Sequence, residues 1–461
     1  MKRLFLLLLV AGCTTVGPDY KRPAVELPPQ YPGAASEDGV AVSPEWWKLY
    51  NDATLDELVA TARKSNVDVR LAVARVREAE AQLREANAAF FPEVTGSYGY
   101  TRTRVSTLTV PPPIATFPFV RPQHTLMAST SFELDFWGRF ARATEAARAN
   151  LLGNQLAQDV VGLTLAGTTS QAYFALRSLD AQIAVLELTI KVRRDSLSIA
   201  KARLEAGLAS ELDVHQAQGA LSDALVQKRE AERARALVER QLGTLTGKLD
   251  LKLLPADLFT LPIPPTPPPG LPSALLERRP DIRSAEQVMV AANAQIGIAR
   301  AALFPTISLT GSLGAQSAEL GQLLSSGSGI WTLGFGLAAP IFDAGRRAAR
   351  VEQADARREQ ALTGYQRSIE TAFREVSDAL VSVEESAAAE EELKIRLEAA
   401  RAALDLSQVR YESGYSPYLE VLDAQRTAND AELAFVRNRQ SRLAFTVDLM
   451  KALGGGWSER R

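Results

Sequence analysis

Ala88-Ala89-Phe90-Phe91-Pro92 returns as Ala301-Ala302-Leu303-Phe304-Pro305, and Asp68-Val69-Arg70 as Asp281-Ile282-Arg283, each displaced by 213 residues. Trp137-Gly138-Arg139 returns as Ala344-Gly345-Arg346, Arg203 to Gly207 as Arg410 to Gly414, and Leu242 to Gly247 as Leu449 to Gly454, each displaced by 207. A fixed offset of this kind means one architecture built twice. The change of offset must fall between Pro92 and Gly138, where Pro111-Pro112-Pro113 and Pro118 suit an irregular surface turn.

Proline positions divide each half. None occurs between Pro122 and Pro255, and beyond Pro340 there is only Pro417. Such gaps, rich in Ala, Leu, Glu, Arg and Gln, favour long helices, about 138–206 and 344–413. At about 1.5 Å per residue the first is a rod of roughly 100 Å. Leu176, Leu179, Ile183, Leu186, Ile190, Leu197 and Leu204, with Arg193 and Ala200 in the gaps, keep the spacing of a coiled-coil seam. A soluble coiled coil shows the same period. Gly207-Leu208-Ala209-Ser210 and Gly414-Tyr415-Ser416-Pro417 then read as tight turns into returning helices, about 211–246 and 418–453. Those are half as long as the rods. Helical segments about 54–90 and 272–303 supply the missing length, giving four helical columns.

Between the helices lie strands. Val94, Gly96, Tyr98 and Tyr100 alternate with Thr95, Ser97, Gly99 and Thr101, and Leu126, Ala128, Phe132, Leu134 and Phe136 alternate with Thr125, Ser129, Ser131, Glu133 and Asp135. The second half repeats this with Ile307, Leu309 and Leu313, then Trp331, Leu333, Phe335 and Leu337. Each half therefore holds one hairpin, about 93–137 and 306–342. One apolar and one small polar face suits a strand crossing a bilayer beside water, and equally a half-buried soluble sheet. If the sheet enters lipid, every edge must be paired, and four strands are too few to close a barrel. The membrane reading thus predicts an oligomer; three copies give twelve strands and twelve helical columns.

The N-terminus favours the membrane reading. Lys2 and Arg3, the apolar run Leu4 to Val10 and the ending Val10-Ala11-Gly12-Cys13 resemble a bacterial lipoprotein signal, residues 1–12, with Cys13 taking the lipid. An ordinary signal that happens to contain a cysteine is the bland alternative. Thr14, where aspartate favours inner-membrane retention, resembles the class sorted to the outer membrane. Composition excludes other classes. A net charge of −2 gives no basic excess for nucleic acid, one cysteine allows no internal disulfide, and His124 and His215 make no histidine-rich metal centre. No uncharged apolar run reaches 18 residues, so a bundle of membrane helices is excluded. Gly243-Thr244-Leu245-Thr246-Gly247-Lys248-Leu249 fails as a phosphate loop, with three residues between its glycines and Leu249 where Ser or Thr would hold magnesium. With no catalytic constellation either, the chain reads as no enzyme and holds no cofactor beyond the Cys13 lipid.

These residues resemble the TolC-like outer membrane efflux family, especially its lipidated OprM and NodT branch. The resemblance spans nearly all of the mature chain. It rests on Cys13-Thr14-Thr15-Val16-Gly17-Pro18-Asp19-Tyr20-Lys21-Arg22-Pro23, Trp46-Trp47, the Ala-Ala-x-Phe-Pro repeats, Leu422-Asp423-Ala424-Gln425-Arg426 and Ala452-Leu453-Gly454-Gly455-Gly456-Trp457. It implies an α+β membrane protein of two tandem repeats, 54–247 and 272–454, each a β-hairpin plus a long helical hairpin. It further implies a homotrimer whose twelve-stranded barrel continues into a twelve-column periplasmic α-barrel. Residues 13–53 and the proline-rich linker 248–271 would form an equatorial collar, with 455–461 as a tail. Locally, a disordered linker explains those prolines as well.

The resemblance also assigns sites. The tips Arg203, Gly207, Leu208, Ala209, Ser210 and Arg410, Gly414, Tyr415, Ser416, Pro417 resemble the surface met by a periplasmic adaptor, although turn chemistry alone explains both glycines. Asp213, Tyr411, Glu420 and Asp423 match periplasmic gate positions. Glu420 and Asp423 are three apart on a helix and share a face, and threefold repetition would make acidic rings that favour cations. As a solvated helix face they would be unremarkable. TolC has an arginine where this chain has Ser416, so its closed-state bonding does not carry over. The function implied is a passive, gated outer membrane exit duct for small molecules, driven by an inner-membrane pump, expected to be proton-driven. A protein-secretion duct and a poreless coiled-coil lipoprotein are the rival readings.

Overall fold

The computed structural model describes residues 15–31, 42–106, 119–268, 270 and 272–456. Cys13 with its signal segment, the triple proline 111–113 and the tail from Trp457 lie outside them. Two helices, α1 (Ala53–Ser65) and α2 (Val67–Ala88), lead to strands β1 (Glu93–Arg104) and β2 (Val120–Leu134), then to α3 (Arg139–Glu205) and α4 (Glu211–Thr246). The second half runs through α5 (Pro280–Ala301), β3 (Thr306–Ser317), β4 (Gly329–Ala338), α6 (Arg346–Glu412) and α7 (Tyr418–Ala452). Both α3 and α6 have 67 residues.

The helical segments expected at about 54–90 and 272–303 are each interrupted once. The first is broken at Asn66, with ψ 142°, and the second at Arg279, with ψ 120°. Pro280 explains the second break, because the residue before proline is pushed out of the helical region. At the first, the Asn66 side chain accepts from the Asp68 amide at 2.7 Å and donates to the Leu245 carbonyl at 2.9 Å, offering the backbone a turn instead of a helix. The two breaks are 213 residues apart, so the kink belongs to the repeat.

The chain divides into two compact units. The first comprises residues up to Pro23, Arg77–Gly153 and Glu286–Gly364. Its four strands form one antiparallel sheet in the order β1-β2-β3-β4, so β2 and β3 join the two hairpins and β1 and β4 are edges. The register puts like with like. Thr95, Ser129, Ser312 and Thr332 line up across one face, and Gly96, Ala128, Leu313 and Trp331 across the other. On the apolar face Trp331 is 75 % and Leu333 78 % exposed within the single chain.

The same unit holds the N-terminal strap, Thr15 to Arg22. Val16 donates to the Trp137 carbonyl at 3.0 Å, and Gly17, at φ +108°, lies against Gly297 of α5. Buried Arg142 of α3 pairs with Asp19 at 2.7 Å, Asn293 donates to the Pro18 carbonyl at 2.8 Å, and Arg22 grips buried Glu286 with two hydrogen bonds of 2.7 and 2.6 Å. The strap thus ties a helix of the first repeat to one of the second. No helix among the described residues is long and apolar enough to cross a membrane.

The second unit comprises Ala24–Val76, Asn154–Ala285 and the chain from Tyr365. Trp46, Tyr50, Leu55, Tyr173, Phe174 and Val447 belong to one large apolar cluster in it. The linker is held here. Buried Asp180 accepts from Arg177 at 2.9 Å and Arg235 at 2.6 Å, and the same two arginines donate to the Leu254 and Leu253 carbonyls at 2.7 and 2.8 Å. Leu258 and Leu261 are buried, and Phe259 stacks on Phe435 at 5.5 Å. Over its described residues the linker is packed chain.

A side chain at Gly297 would begin 2.8 Å from the Val16 carbonyl and 2.7 Å from Arg142 Cγ, so the strap would have to lift. Gly297→Val is expected to cost about 1–3 kcal/mol by overpacking, lowering the melting temperature, and to speed tryptic cleavage after Lys21. Wild-type cleavage kinetics in the variant would show that the strap is not held there.

Candidate functional site

Both hairpin tips use one backbone device. Gly207, at φ +74°, lets its own amide reach the Leu204 carbonyl at 2.9 Å and lets the Leu208 amide reach the Arg203 carbonyl at 2.7 Å. Gly414, at φ +79°, does the same, with Gly414 bonded to Tyr411 at 3.0 Å and Tyr415 to Arg410 at 2.8 Å. These paired bonds satisfy the last helical carbonyls, and a left-handed residue without Cβ is needed to make them. They account for the Arg-x-x-x-Gly spacing. Each arginine sits in the last turn, where a cation meets the negative helix end.

The helices then restart differently. Ser210 caps α4, accepting from the Asp213 amide at 3.4 Å while Asp213 accepts from the Ser210 amide at 3.1 Å. This reciprocal box occupies the Asp213 carboxylate. Pro417 stands at the equivalent position before α7 and has no side-chain cap. Glu420, the counterpart of Asp213, is therefore free to pair with Arg410 at 3.3 Å. Asp423 is exposed and has no ion pair or hydrogen bond among the described residues.

A polar contact and an apolar cluster join the tips. Arg203 donates to the Tyr411 carbonyl at 2.6 Å, and its guanidinium lies 4.5 Å from the centre of the Tyr411 ring. Tyr411 in turn packs on Tyr418, ring centres 5.5 Å apart, among Leu197, Ala217, Leu221 and Val421. Both hydroxyls are buried without a hydrogen-bond partner among the described residues. Burial pushes Tyr418 up to about 12 and also raises Tyr411, where the nearby Arg203 charge opposes the rise, so both phenols stay neutral.

The structure brings Asp213, Tyr411 and Arg203 together, places Glu420 beside Arg410, and leaves Asp423 apart on the α7 surface. Leu208 and Tyr415 are 70 % and 80 % exposed, whereas Ala209 and Ser416 are half-buried. Leu212 and Leu419, also exposed, were not singled out in the sequence. Their separation of 207 residues, the offset of the tips, was the available signal.

The outer membrane efflux protein family model matches residues 58–248 and 271–455. The chain belongs to that family. It is 34 % identical over 473 residues to the solvent efflux pump outer membrane protein SrpC of Pseudomonas putida, covering 99 % of this chain and 98 % of that one. It is 32 % identical over 461 residues to the probable outer membrane lipoprotein SilC of Salmonella typhimurium, covering 98 % of each. The outer-membrane channel OprN superposes with a TM-score of 0.89 at 29 % identity, over 96 % of this chain and 100 % of that one. The protein is thus an outer membrane efflux channel and not an enzyme.

Ser210→Ala removes a cap worth about 0.5–2 kcal/mol. Amide hydrogen exchange in the first turn of α4 is expected to quicken about tenfold, the equivalent of roughly 1.4 kcal/mol, with the first turn of α7 unchanged. Equal rates in both variants of α4 would mean that the box contributes nothing.

Proposed function

We propose that the protein is the exit duct of a tripartite efflux pump, acting as a homotrimer. Twelve strands from three copies close a barrel, with the polar row of Thr95, Ser129, Ser312 and Thr332 facing water and the Trp331 row facing lipid. The carrying observation is the four-stranded sheet with an exposed apolar face and two unpaired edges. Such a sheet satisfies its backbone in lipid only by closing with neighbours. Twelve helical columns continue the duct into the periplasm, and a lipid on Cys13 anchors it. The likeness to OprN over 96 % of the chain supports this arrangement.

The tips, with exposed Leu208, Leu212, Tyr415 and Leu419, dock a periplasmic adaptor, which links the duct to an inner-membrane pump of the proton-driven kind. Small molecules pass through passively. The name of the solvent-pump relative favours this cargo over secreted protein. Purification in detergent tests the reading, with a mass of three copies, a lipidated N-terminal Cys13 peptide and discrete conductance in planar bilayers expected. A monomer, or a trimer without conductance, would fit the poreless scaffold instead.

Among the gate carboxylates, Asp423 carries the least compensated charge, since Asp213 is used in its cap and Glu420 in its ion pair. Asp423→Lys is expected to shift the channel away from cation selectivity and change drug tolerance while leaving trimer assembly intact. Unaltered selectivity and tolerance would remove Asp423 from the gate.

A further inference from the structure

In the seam above the tips, Arg193 of α3 occupies a position that the coiled-coil period reserves for an apolar residue. It is 5 % exposed. Its Nη1 donates to the Ala220 carbonyl of α4, its Nε has no partner, and it makes no ion pair among the described residues. Guanidinium stays protonated in proteins, so this charge cannot be shed by titration. Burial is nevertheless the main influence on it, pulling it below its ordinary value.

Arg193 and Gln425 of α7 line one cavity of about 80 Å³ with Thr189, Asn429, Arg401 and Glu432. Arg401 and Glu432 cancel through an ion pair of 2.7 Å, which leaves Arg193 as the charge on the cavity wall without an ion pair among the described residues, Asp223 and Asp430 acting on it only from a distance. Gln425 is 4 % exposed; its Nε2 donates to Ser196 Oγ at 2.8 Å and its Oε1 has no partner. An amide's two ends are assigned from such bonds. Turned over, Gln425 accepts from the Ser196 hydroxyl and puts its NH₂ where the unpartnered oxygen stood.

We propose that this cavity is a binding site for a small inorganic anion, chloride in ordinary salt, held by the Arg193 Nε–H and the Gln425 amide. A volume of about 80 Å³ admits an ion with a water beside it and excludes an organic solute of drug size. A buried cation lacking a carboxylate is costly unless a counter-charge joins it. The bound ion would tie α7 to α3 about four turns from the Gly207 turn, next to the bond of 3.0 Å between Thr189 and Asn429. The site does not depend on the duct reading.

The full-length protein in detergent, crystallised from bromide, is expected to show an anomalous peak between Arg193 and Gln425. Exchanging chloride for gluconate at constant ionic strength is expected to lower the wild-type melting temperature by several degrees. Arg193→Met and Gln425→Leu should each abolish that dependence. Should Arg193→Met fail to fold, Gln425→Leu and the wild-type bromide map decide alone. No bromide peak, a water bridging Nε and Oε1 in its place, or chloride dependence undiminished in Gln425→Leu would overturn the site.

Discussion

The edges of the sheet constrain everything else. Along their outer sides β1 and β4 each present a row of backbone donors and acceptors that no other strand among the described residues meets. In water such a row is an aggregation hazard; in hydrocarbon each unmet group costs several kcal/mol. The apolar face carrying Leu313, Trp331 and Leu333 draws this sheet toward hydrocarbon, and the hydroxyl row behind it rules out burial on both sides. The proposed completion by other copies would answer both demands together. Two hairpins from one duplicated unit pair through β2 and β3, which would halve the number of seams that the proposed association between chains has to make.

Duplication kept the backbone of the tips and let their polar wiring diverge. Gly207 and Gly414 close the same pair of bonds, yet Ser210 became an acceptor cap where its counterpart is Pro417. That single difference redirects the next acid. Asp213 turns back on its own helix start, while Glu420 turns to Arg410. The arginines diverge correspondingly, since Arg203 reaches across to the Tyr411 carbonyl and Arg410 stays within its own hairpin. Only the first arginine joins the two hairpins, so separating the tips must break the Arg203 contact and uncover Tyr411 and Tyr418, whose buried hydroxyls have no partner to lose.

The periodic parts of the structure were legible in the sequence. Strand faces follow a period of two and the register aligns them as the alternation of Thr95 and Gly96 requires; the tips follow from glycine and the repeat offset. Local competition was harder to see. Ser210-x-x-Asp213 is a capping signature, but the same aspartate reads as a gate acid when only its position is weighed. The break at Asn66 depends on a side chain choosing the Asp68 amide and the Leu245 carbonyl, partners 179 residues apart in the latter case. Proline density around 264–268 suggested disorder as readily as a collar, because the anchors that hold the linker, Asp180, Arg177 and Arg235, lie far away in the chain.

Those anchors share a logic with the strap and the seam. Arg142, Arg177, Arg235 and Arg279 are each partly or fully withdrawn from solvent, and each meets a carboxylate and, in all four cases, a backbone carbonyl as well. A guanidinium fork suits this double task, because it can satisfy irregular chain and a counter-charge at once. Arg142, Arg177 and Arg235 grip the segments that lack regular structure, at 15–22 and 248–257, and Arg279 takes the Ala452 carbonyl at the very end of α7, where no further helical amide follows. Arg193 departs from the pattern by lying buried in regular helix with a carbonyl and no carboxylate. The Arg193 charge is met only from a distance, by Asp223 and Asp430, so an external anion at that point would complete what Asp19, Asp180 and Asp281 do for the others.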